Sequence, residues 1–245
     1  MKMRDIQYVP FGENGIKVVF PNHISQEIHE RILKLYQSIK RHAFDPITDI
    51  VPSYTVLTVY FNEKLVSFQQ MRQKLEYIWE AANEEDHSSS SKVVTLPTYY
   101  GGQEGEDLQQ VAKENNLSVE DVIDLHSSRD YLTYMIGFLP GFPYLGGMDE
   151  RIATPRLEKP RARVEAGSVG IAGSQTGVYP VASPGGWNII GQTPVPIVDF
   201  TREEPFLIAM GDYIRFRPVP KEEYEDILKR IHNGSYTIEI INKEA

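Results

Sequence analysis

Two stretches of the first 85 residues carry apolar side chains at the spacing of an amphipathic helix. The positions that share one face of the first helix are Ile28, Ile32, Leu35 and Ile39. The corresponding positions of the second helix are Met71, Leu75, Ile78 and Ala82. Ser25 is placed to cap the first helix, and Ser67 with Gln70 forms a capping box before the second. The pattern predicts two helices that each bury one face.

Strand-like runs alternate with these helices. Residues 54–61 (YTVLTVYF) are all β-branched or aromatic except Leu57, and residues 16–20 (IKVVF) form a shorter candidate strand. The resulting order, β-β-α-β-α, predicts a small α/β sandwich with the helices on one face of a sheet.

Residues 83–91 (NEEDHSSSS) contain a run of charged and hydroxyl side chains that cannot contribute to a core. We therefore predict an N-terminal α/β domain with its linker over residues 1–91 and a second domain over residues 92–245. The second domain is expected to begin with a strand at 93–96. Helices are predicted next, near 107–114 and 119–126.

The second domain differs in composition. Residues 131–220 hold 12 of the 18 glycines and 11 of the 16 prolines, interleaved with Tyr, Phe, Val and Ile. This composition is typical of short strands joined by tight turns. Near the end, a helix is predicted to stop at Asn233 and Gly234, and residues 236–241 are predicted to form a strand. The fold class predicted from the whole chain is α+β.

Charge and composition exclude several functions. The formal net charge is −9, so the overall field repels nucleic acid and anionic lipid surfaces. The absence of cysteine removes disulfides, thiolate nucleophiles and cysteine zinc sites. The sequence contains no signal-peptide pattern and no run of about 20 apolar residues. We expect a soluble, cytoplasmic protein that binds neither nucleic acid nor membrane.

Residues 137–147 (GFLPGFPYLGG) combine a rigid backbone with three large aromatic side chains, Phe138, Phe142 and Tyr144. These rings either present a surface to a partner or fill a corner of a β-barrel. Residues 154–163 (TPRLEKPRAR) place four cations in ten positions of an acidic chain. This run is either an anion-binding site or a solvated loop.

Residues 167–180 (GSVGIAGSQTGVYP) offer two interpretations, an anion-cradling backbone or glycines used for tight turns. The stretch matches neither the phosphate-binding loop pattern nor the dinucleotide-binding pattern. His126 is the histidine nearest this glycine-rich region, where it is either a proton-transfer group or a structural hydrogen-bonding residue. The sequence predicts no metal site.

Several segments, taken in order, resemble those of the 5-oxoprolinase B subunit family. This family is also called allophanate hydrolase subunit 1, and it includes the sporulation kinase inhibitor KipI. The segments that carry the resemblance are Tyr100-Gly101-Gly102, His126, Tyr131, Gly137-Phe138, residues 140–145 (PGFPYL), Thr154-Pro155-Arg156, Pro160-Arg161, residues 167–173 (GSVGIAG), Gln175-Thr176-Gly177, Tyr179-Pro180 and residues 183–187 (SPGGW). The resemblance extends over essentially the whole chain and is dense between residues 97 and 200.

This resemblance implies a cyclophilin-like β-barrel as the second domain. It also implies that the chain works with a homologous C subunit plus an A subunit to open 5-oxoproline to L-glutamate at the expense of ATP. The chain contains no Walker motif, so the position of the ATP site stays open. A second function, inhibition of sensor histidine kinase autophosphorylation, follows from the resemblance to KipI, with Phe138, Phe142 and Tyr144 as the partner-binding residues.

Within this framework, the candidate residues fall into two classes. The predicted substrate-binding residues are Arg156 and Arg161, which would hold a carboxylate or phosphoryl oxygen, and the neutral hydrogen-bonding groups of Gln175, Tyr179 and Ser183. His126 is the predicted catalytic residue, for proton transfer.

Overall fold

The structure, a computed structural model, describes residues 5–84 and 91–243. The chain divides into two compact units, Met1–Ser89 and Ser90–Ala245. The predicted linker at 83–91 overlaps the end of a helix and the start of a strand, and its residues 85–90 lie outside the described residues. Among the described residues, no helix has both the length and the apolar character needed to cross a bilayer.

The first unit is a four-stranded antiparallel sheet, within residues 5–84, with two helices. Its elements are β1 (Gln7–Phe11), β2 (Gly15–Val19), α1 (Gln26–His42), β3 (Ile47–Pro52), β4 (Val56–Phe61) and α2 (Phe68–Glu84). The strand order is β1-β2-β4-β3. Strand β3 was not predicted, because its polar Thr48 and Asp49 interrupt the apolar pattern of an edge strand.

Both predicted helices are confirmed with their caps. Ser25 accepts a hydrogen bond from the Ile28 amide at 3.2 Å. The Ser67 amide donates to Gln70 Oε1 at 2.9 Å, and the Gln70 amide donates to Ser67 Oγ at 3.3 Å. All eight apolar stripe positions are at most 2% exposed, so the helical spacing identified the core face correctly.

The second unit is built on a barrel. Its helices are α3 (Leu108–Glu114), α4 (Val119–Ser127) and α5 (Lys221–His232). Its strands are β5 (Ser91–Tyr100), β6 (Asp130–Ile136), β7 (Pro143–Gly146), β8 (Arg161–Val164), β9 (Ser168–Ala172), β10 (Gln175–Val178), β11 (Ser183–Gly185), β12 (Asn188–Gln192), β13 (Tyr213–Pro218) and β14 (Ile240–Lys243). The last strand begins four residues later than the predicted one at 236–241.

Seven of the strands within residues 91–243 close into a barrel in the order β12-β9-β10-β7-β6-β13-β5, with β5 pairing back to β12. Closure depends on the length of β5: β14 pairs with its first residues along one edge, and β12 pairs with Tyr99 and Tyr100 along the rest of that edge. The two short strands β8 and β11 form a separate ribbon. The predicted α+β class with a β-barrel is confirmed.

Candidate functional site

A compact group of aromatic side chains covers the outer surface of the barrel wall at β7, β9 and β10. Alternate residues of a strand point to opposite faces. Thr176 and Val178 point into the barrel, so Gly177 and Tyr179 point outward. The residues of this aromatic cluster are Leu139, Phe142, Tyr144, Val164, Ala172, Tyr179, Trp187 and Ile189.

Phe142 lies at the centre of the aromatic cluster. Its ring centroid is 5.1 Å from that of Tyr144, 5.2 Å from that of Tyr179 and 5.3 Å from that of Trp187. The contacts with Tyr179 and Trp187 are nearly perpendicular, at 87° and 83°, which is a favourable edge-to-face geometry. Because Phe142 is 1% exposed, it holds the cluster together and presents no surface to a partner.

Glycines in the barrel wall make room for these rings. A Cβ atom on Gly177 would lie 3.2 Å from the Phe142 ring and 2.8 Å from the Pro143 carbonyl oxygen. A Cβ atom on Gly170 would lie 3.2 Å from Trp187 Cβ. Both glycines are paired residues of β9 and β10, so the stretch 167–180 is a strand hairpin. The anion-cradling interpretation of this stretch is therefore not supported.

Arg156 extends across the aromatic cluster. Its guanidinium carbon is 6.0 Å from the centroid of the Trp187 ring, within the range of a cation–π contact. The backbone before it is fixed, because Thr154 and Gly173 exchange two hydrogen bonds of 3.2 and 2.7 Å. Arg156 is exposed, and no carboxylate among the described residues lies within 4 Å of its guanidinium. A charged donor is thus available to an incoming anion.

The charge of Arg156 also reaches the neighbouring phenols. Burial raises the pKa of Tyr144 and of Tyr179, and the positive charge of Arg156 opposes part of that rise. Both phenols are therefore neutral near pH 7 and act as hydrogen-bonding groups. Arg156 and Tyr144, which the sequence assigned to separate sites, belong to one site in the structure.

Arg161 lies on the other side of Trp187 and is already neutralised. Its Nη2 donates to Asp107 Oδ1 at 2.6 Å, its Nε is 2.8 Å from Glu106 Oε1, and its Nη1 donates to the Trp187 carbonyl oxygen at 3.4 Å. A guanidinium held by two carboxylates has little capacity left for an anionic ligand. The two predicted arginines do meet at Trp187, but the two carboxylates that bind Arg161 argue against its predicted role in anion binding.

A cavity of about 320 Å³ lies beside Arg161. Its lining includes three glutamates, Glu104, Glu106 and Glu165, and two arginines, Arg161 and Arg163. Arg163 is paired with Glu165 at 2.6 Å, as Arg161 is with Glu106. The carboxylates outnumber the arginines and neutralise both, so this cavity does not suit an anion.

The three predicted neutral groups have different positions. Tyr179 is 1% exposed, and its phenol interacts with the Trp187 backbone amide, so it supports Trp187 from within. Ser183 is buried in β11, paired with Val164 of β8. Gln175 is half-buried at the start of β10, beside the hairpin turn. The burial of Tyr179 and Ser183 argues against their predicted contact with substrate.

His126 is completely buried in the barrel core. Its Nδ1 is 2.8 Å from the Tyr100 hydroxyl and its Nε2 is 2.8 Å from Thr176 Oγ1. Because Thr176 Oγ1 donates to the Gly170 carbonyl oxygen at 3.0 Å, it accepts from Nε2–H, and Nδ1 accepts from Tyr100. Burial lowers the pKa of His126 to about 3. Because both nitrogens are occupied and no solvent reaches them, this position argues against the predicted role in proton transfer and favours the structural alternative.

Of the three predicted partner-binding aromatics, Phe138 alone is well exposed, at 66%. It adopts a left-handed backbone conformation with φ 66°, which is uncommon for a residue other than glycine. The loop that holds it is closed by the Gly137 amide, which donates to the Phe142 carbonyl oxygen at 3.1 Å. Phe142 and Tyr144 belong to the aromatic cluster, so the predicted partner surface reduces to Phe138.

Sequence reasoning missed Glu106 and Asp107 as site residues and did not assign a role to Trp187. Asp107 lies 54 positions from Arg161 and 82 from Ile189, the residues that it binds. No local pattern could signal such contacts. Among the described residues, no group of three or more histidine, aspartate or glutamate side chains could hold a metal ion.

Comparison with known proteins identifies the family. A profile of the carboxyltransferase domain, subdomains C and D, matches residues 6–208. The chain is similar to the 5-oxoprolinase B subunit of Bacillus subtilis (strain 168), with 36% identity over 228 residues that cover 89% of this chain and 95% of that protein. It is also similar to the 5-oxoprolinase B subunit of Haemophilus influenzae, with 38% identity over 85% of this chain and 95% of that protein.

A solved structure, that of TTHA0988, shares 36% identity and superimposes with a TM-score of 0.75. The match covers 84% of this chain and 40% of TTHA0988. By its profile match and its identity to the 5-oxoprolinase B subunits over most of its length, the chain belongs to the carboxyltransferase subdomain C and D family, in the group that contains these B subunits.

Proposed function

We propose that this chain is the B subunit of an ATP-dependent 5-oxoprolinase, which opens 5-oxoproline to L-glutamate only in complex with a homologous C subunit plus an A subunit. The identity to curated B subunits supports membership of such a complex. One geometric observation carries the proposed substrate site: the exposed guanidinium of Arg156 lies over the Trp187 ring without a carboxylate partner among the described residues.

The chemistry of 5-oxoproline fits this arrangement. The substrate is a small, nearly flat lactam with one carboxylate. The guanidinium of Arg156 can donate to both oxygens of that carboxylate, and the half-buried ring of Tyr144 beside it can contact the lactam ring. The phenol of Tyr144 is neutral near pH 7, so it adds no negative charge that would repel the substrate carboxylate.

The site lacks the groups that a complete reaction needs. A lactam carbonyl is a poor electrophile, and phosphorylation of its oxygen would create a leaving group and activate the carbon toward water. Such a step requires a held phosphoryl donor and a proton acceptor. Tyr144 is neutral and His126 is sealed in the core, so we propose that a partner subunit supplies the acceptor and closes the exposed side of Arg156.

Electrostatics also bear on where ATP binds. The cavity beside Arg161 is lined by three glutamates, whose charges oppose the approach of a triphosphate. We propose that ATP binds mainly to another subunit of the complex, and that this chain contributes the carboxylate-binding side of the substrate site.

The test is reconstitution with purified proteins. We expect no glutamate from this chain with ATP and 5-oxoproline alone, and glutamate formation when the A and C subunits are added. Turnover by the isolated chain would contradict the requirement for partners. Failure of the three proteins together to form glutamate would reject the proposed reaction.

Arg156→Gln tests the proposed site. A charged hydrogen-bonded contact contributes about 1.5–3 kcal/mol, so we expect kcat/KM of the reconstituted enzyme to fall by about 10- to 150-fold while the complex still assembles. Arg156→Lys keeps the charge but loses the bidentate geometry, so its kcat/KM should lie between those of the wild type and Arg156→Gln. Lys159→Gln, which removes another exposed cation of the same loop, is the matched control and should change kcat/KM less than about threefold. Wild-type kcat/KM in Arg156→Gln would remove Arg156 from the site.

A second candidate function is inhibition of a sensor histidine kinase. The observation that favours it is the exposure of Phe138, which the loop holds outward at the cost of a left-handed backbone. Phe138→Asn should then abolish inhibition of kinase autophosphorylation without affecting the fold. If the wild-type chain supports 5-oxoproline opening but leaves kinase autophosphorylation unchanged, the regulatory function is rejected.

A further inference from the structure

The Asp107 carboxylate binds partners that are unusual for a residue at the start of a helix. Asp107 occupies the N-cap position of α3, where aspartate normally accepts hydrogen bonds from the first amides of the helix. Its side chain makes no such bond. The carboxylate is instead buried, with the residue 6% exposed, and both oxygens are bound to distant parts of the barrel unit.

One oxygen extends the barrel wall. Strand β12 pairs with β5 through Gly191 and Gln192, and the pairing ends there. Asp107 continues it: its Oδ2 accepts from the Ile189 amide at 2.6 Å, and its own amide donates to the Ile189 carbonyl oxygen at 2.9 Å. The backbone two residues after Trp187 is therefore fixed to the loop before α3.

The other oxygen holds Arg161. Asp107 Oδ1 accepts from Arg161 Nη2 at 2.6 Å, and Glu106 binds the Nε of the same guanidinium. The third nitrogen, Nη1, donates to the Trp187 carbonyl oxygen. The planar guanidinium of Arg161 thus links the loop before α3 to Trp187, whose ring contacts Arg156.

Trp187 is consequently held at several points. Its carbonyl oxygen is bound by Arg161, its amide interacts with the Tyr179 phenol, and its ring packs edge-on against Phe142. The exposed guanidinium of Arg156 lies over that ring. The direction in which Arg156 presents its donors therefore depends on the position of Trp187.

We propose that Asp107 is a positioning residue: through Arg161 it fixes Trp187, and thereby the Arg156 guanidinium, in the orientation that receives a carboxylate. The part of this inference that concerns the substrate rests on the proposed function. The part that concerns Trp187 is independent of the reaction.

The first measurement needs no activity. The chain has two tryptophans, so incorporation of 5-fluorotryptophan yields two fluorine resonances, and Trp187→Phe assigns one of them. Asp107→Asn keeps an oxygen for the Ile189 amide but removes the charge that binds Arg161. We expect the Trp187 resonance to shift or broaden in Asp107→Asn and in Arg161→Gln, while the Trp79 resonance stays in place.

The control is Arg163→Gln. Arg163 lies on the same strand, β8, and pairs with Glu165, but both side chains are exposed. This variant removes an arginine ion pair of similar geometry without touching Trp187. It should leave both fluorine resonances and the kinetic constants unchanged.

The second measurement uses the reconstituted complex. A displaced carboxylate-binding group weakens the ground state and the transition state alike, so KM for 5-oxoproline should rise by about 10- to 100-fold with kcat changed by less than about threefold. The KM of the double variant Asp107→Asn/Arg161→Gln should be no higher than that of the more impaired single variant, because both substitutions remove the same link.

The outcomes separate the two levels of the inference. An unmoved Trp187 resonance in both Asp107→Asn and Arg161→Gln overturns the positioning of Trp187. A moved resonance with an unchanged KM overturns the part of the inference that concerns Arg156 and the substrate. If Asp107→Asn does not fold, Arg161→Gln decides alone. If the wild-type complex never opens 5-oxoproline, the proposed function fails, and the Trp187 resonance still decides whether Asp107 positions it.

Discussion

Replacement of His126 by glutamine tests whether the barrel core holds a neutral imidazole. In the folded chain, burial lowers the pKa of His126 from 6.5 to about 3. The unfolded chain has the ordinary value, so between pH 6.5 and pH 3 it binds a proton that the folded chain excludes. The barrel must therefore lose stability as the pH falls through this window.

The magnitude follows from the two pKa values. A tenfold difference in proton affinity corresponds to about 1.4 kcal/mol, so the full effect near pH 3 is about 5 kcal/mol. At pH 5 the unfolded imidazole is almost fully protonated and the folded one is neutral, and the expected loss relative to pH 7.5 is about 2 kcal/mol. His126→Gln removes the titrating group, so its free energy of unfolding should not show this loss at low pH.

The assay is urea unfolding at pH 7.5 and pH 5. Unfolding is monitored by the fluorine resonance of Trp187, which reports on the barrel unit. Loss of the Tyr100 and Thr176 hydrogen bonds destabilises the variant at both pH values, so the informative quantity is the change between them. We expect the wild-type free energy of unfolding to fall by about 2 kcal/mol more than that of His126→Gln. Equal pH dependence in the two proteins would refute the assignment of a neutral, sealed imidazole.

Two further predictions concern the loop and the wall around the aromatic cluster. Gly177→Ala places a Cβ atom 2.8 Å from the Pro143 carbonyl oxygen and should lower the free energy of unfolding by about 1–3 kcal/mol, whereas Gly137→Ala, whose nearest neighbour is 3.9 Å away, should not; equal urea midpoints for the two variants would contradict the packing argument. Phe138→Asn puts a residue that tolerates the left-handed conformation at φ 66° and should raise the free energy of unfolding by about 0.5–1 kcal/mol, while weakening capture of a sensor histidine kinase in a pull-down; unchanged capture would exclude Phe138 from that interface.

The sequence was sufficient for the helices of the first unit because their signals are local. A helix buries residues three and four positions apart, and Ser25 and Ser67 cap amides within the next three residues. Strand β3 escaped prediction for the opposite reason. An edge strand forms because a neighbouring strand pairs with it. Strand β4 pairs with β3 whatever the polarity of the exposed residues of β3.

The composition of the second unit likewise indicated short strands and tight turns, but not their order. Closure of the barrel requires β5 to pair with β12, whose residues lie about 90 positions away in the chain. Two of the glycines interpreted as turn residues, Gly170 and Gly177, are strand residues. Their missing side chains leave space for Trp187 and Phe142.

The sequence by itself determined that cations and aromatic rings are concentrated in two short segments, and that these segments resemble those of a known family. Only the tertiary structure decided which residues are available. Arg156 and Arg161 are chemically identical and five positions apart, yet Arg161 is bound by the carboxylates of a loop 54 positions away and Arg156 is not. The reason is physical: a guanidinium binds whichever carboxylate the fold brings within reach, and distance along the chain does not set distance in space.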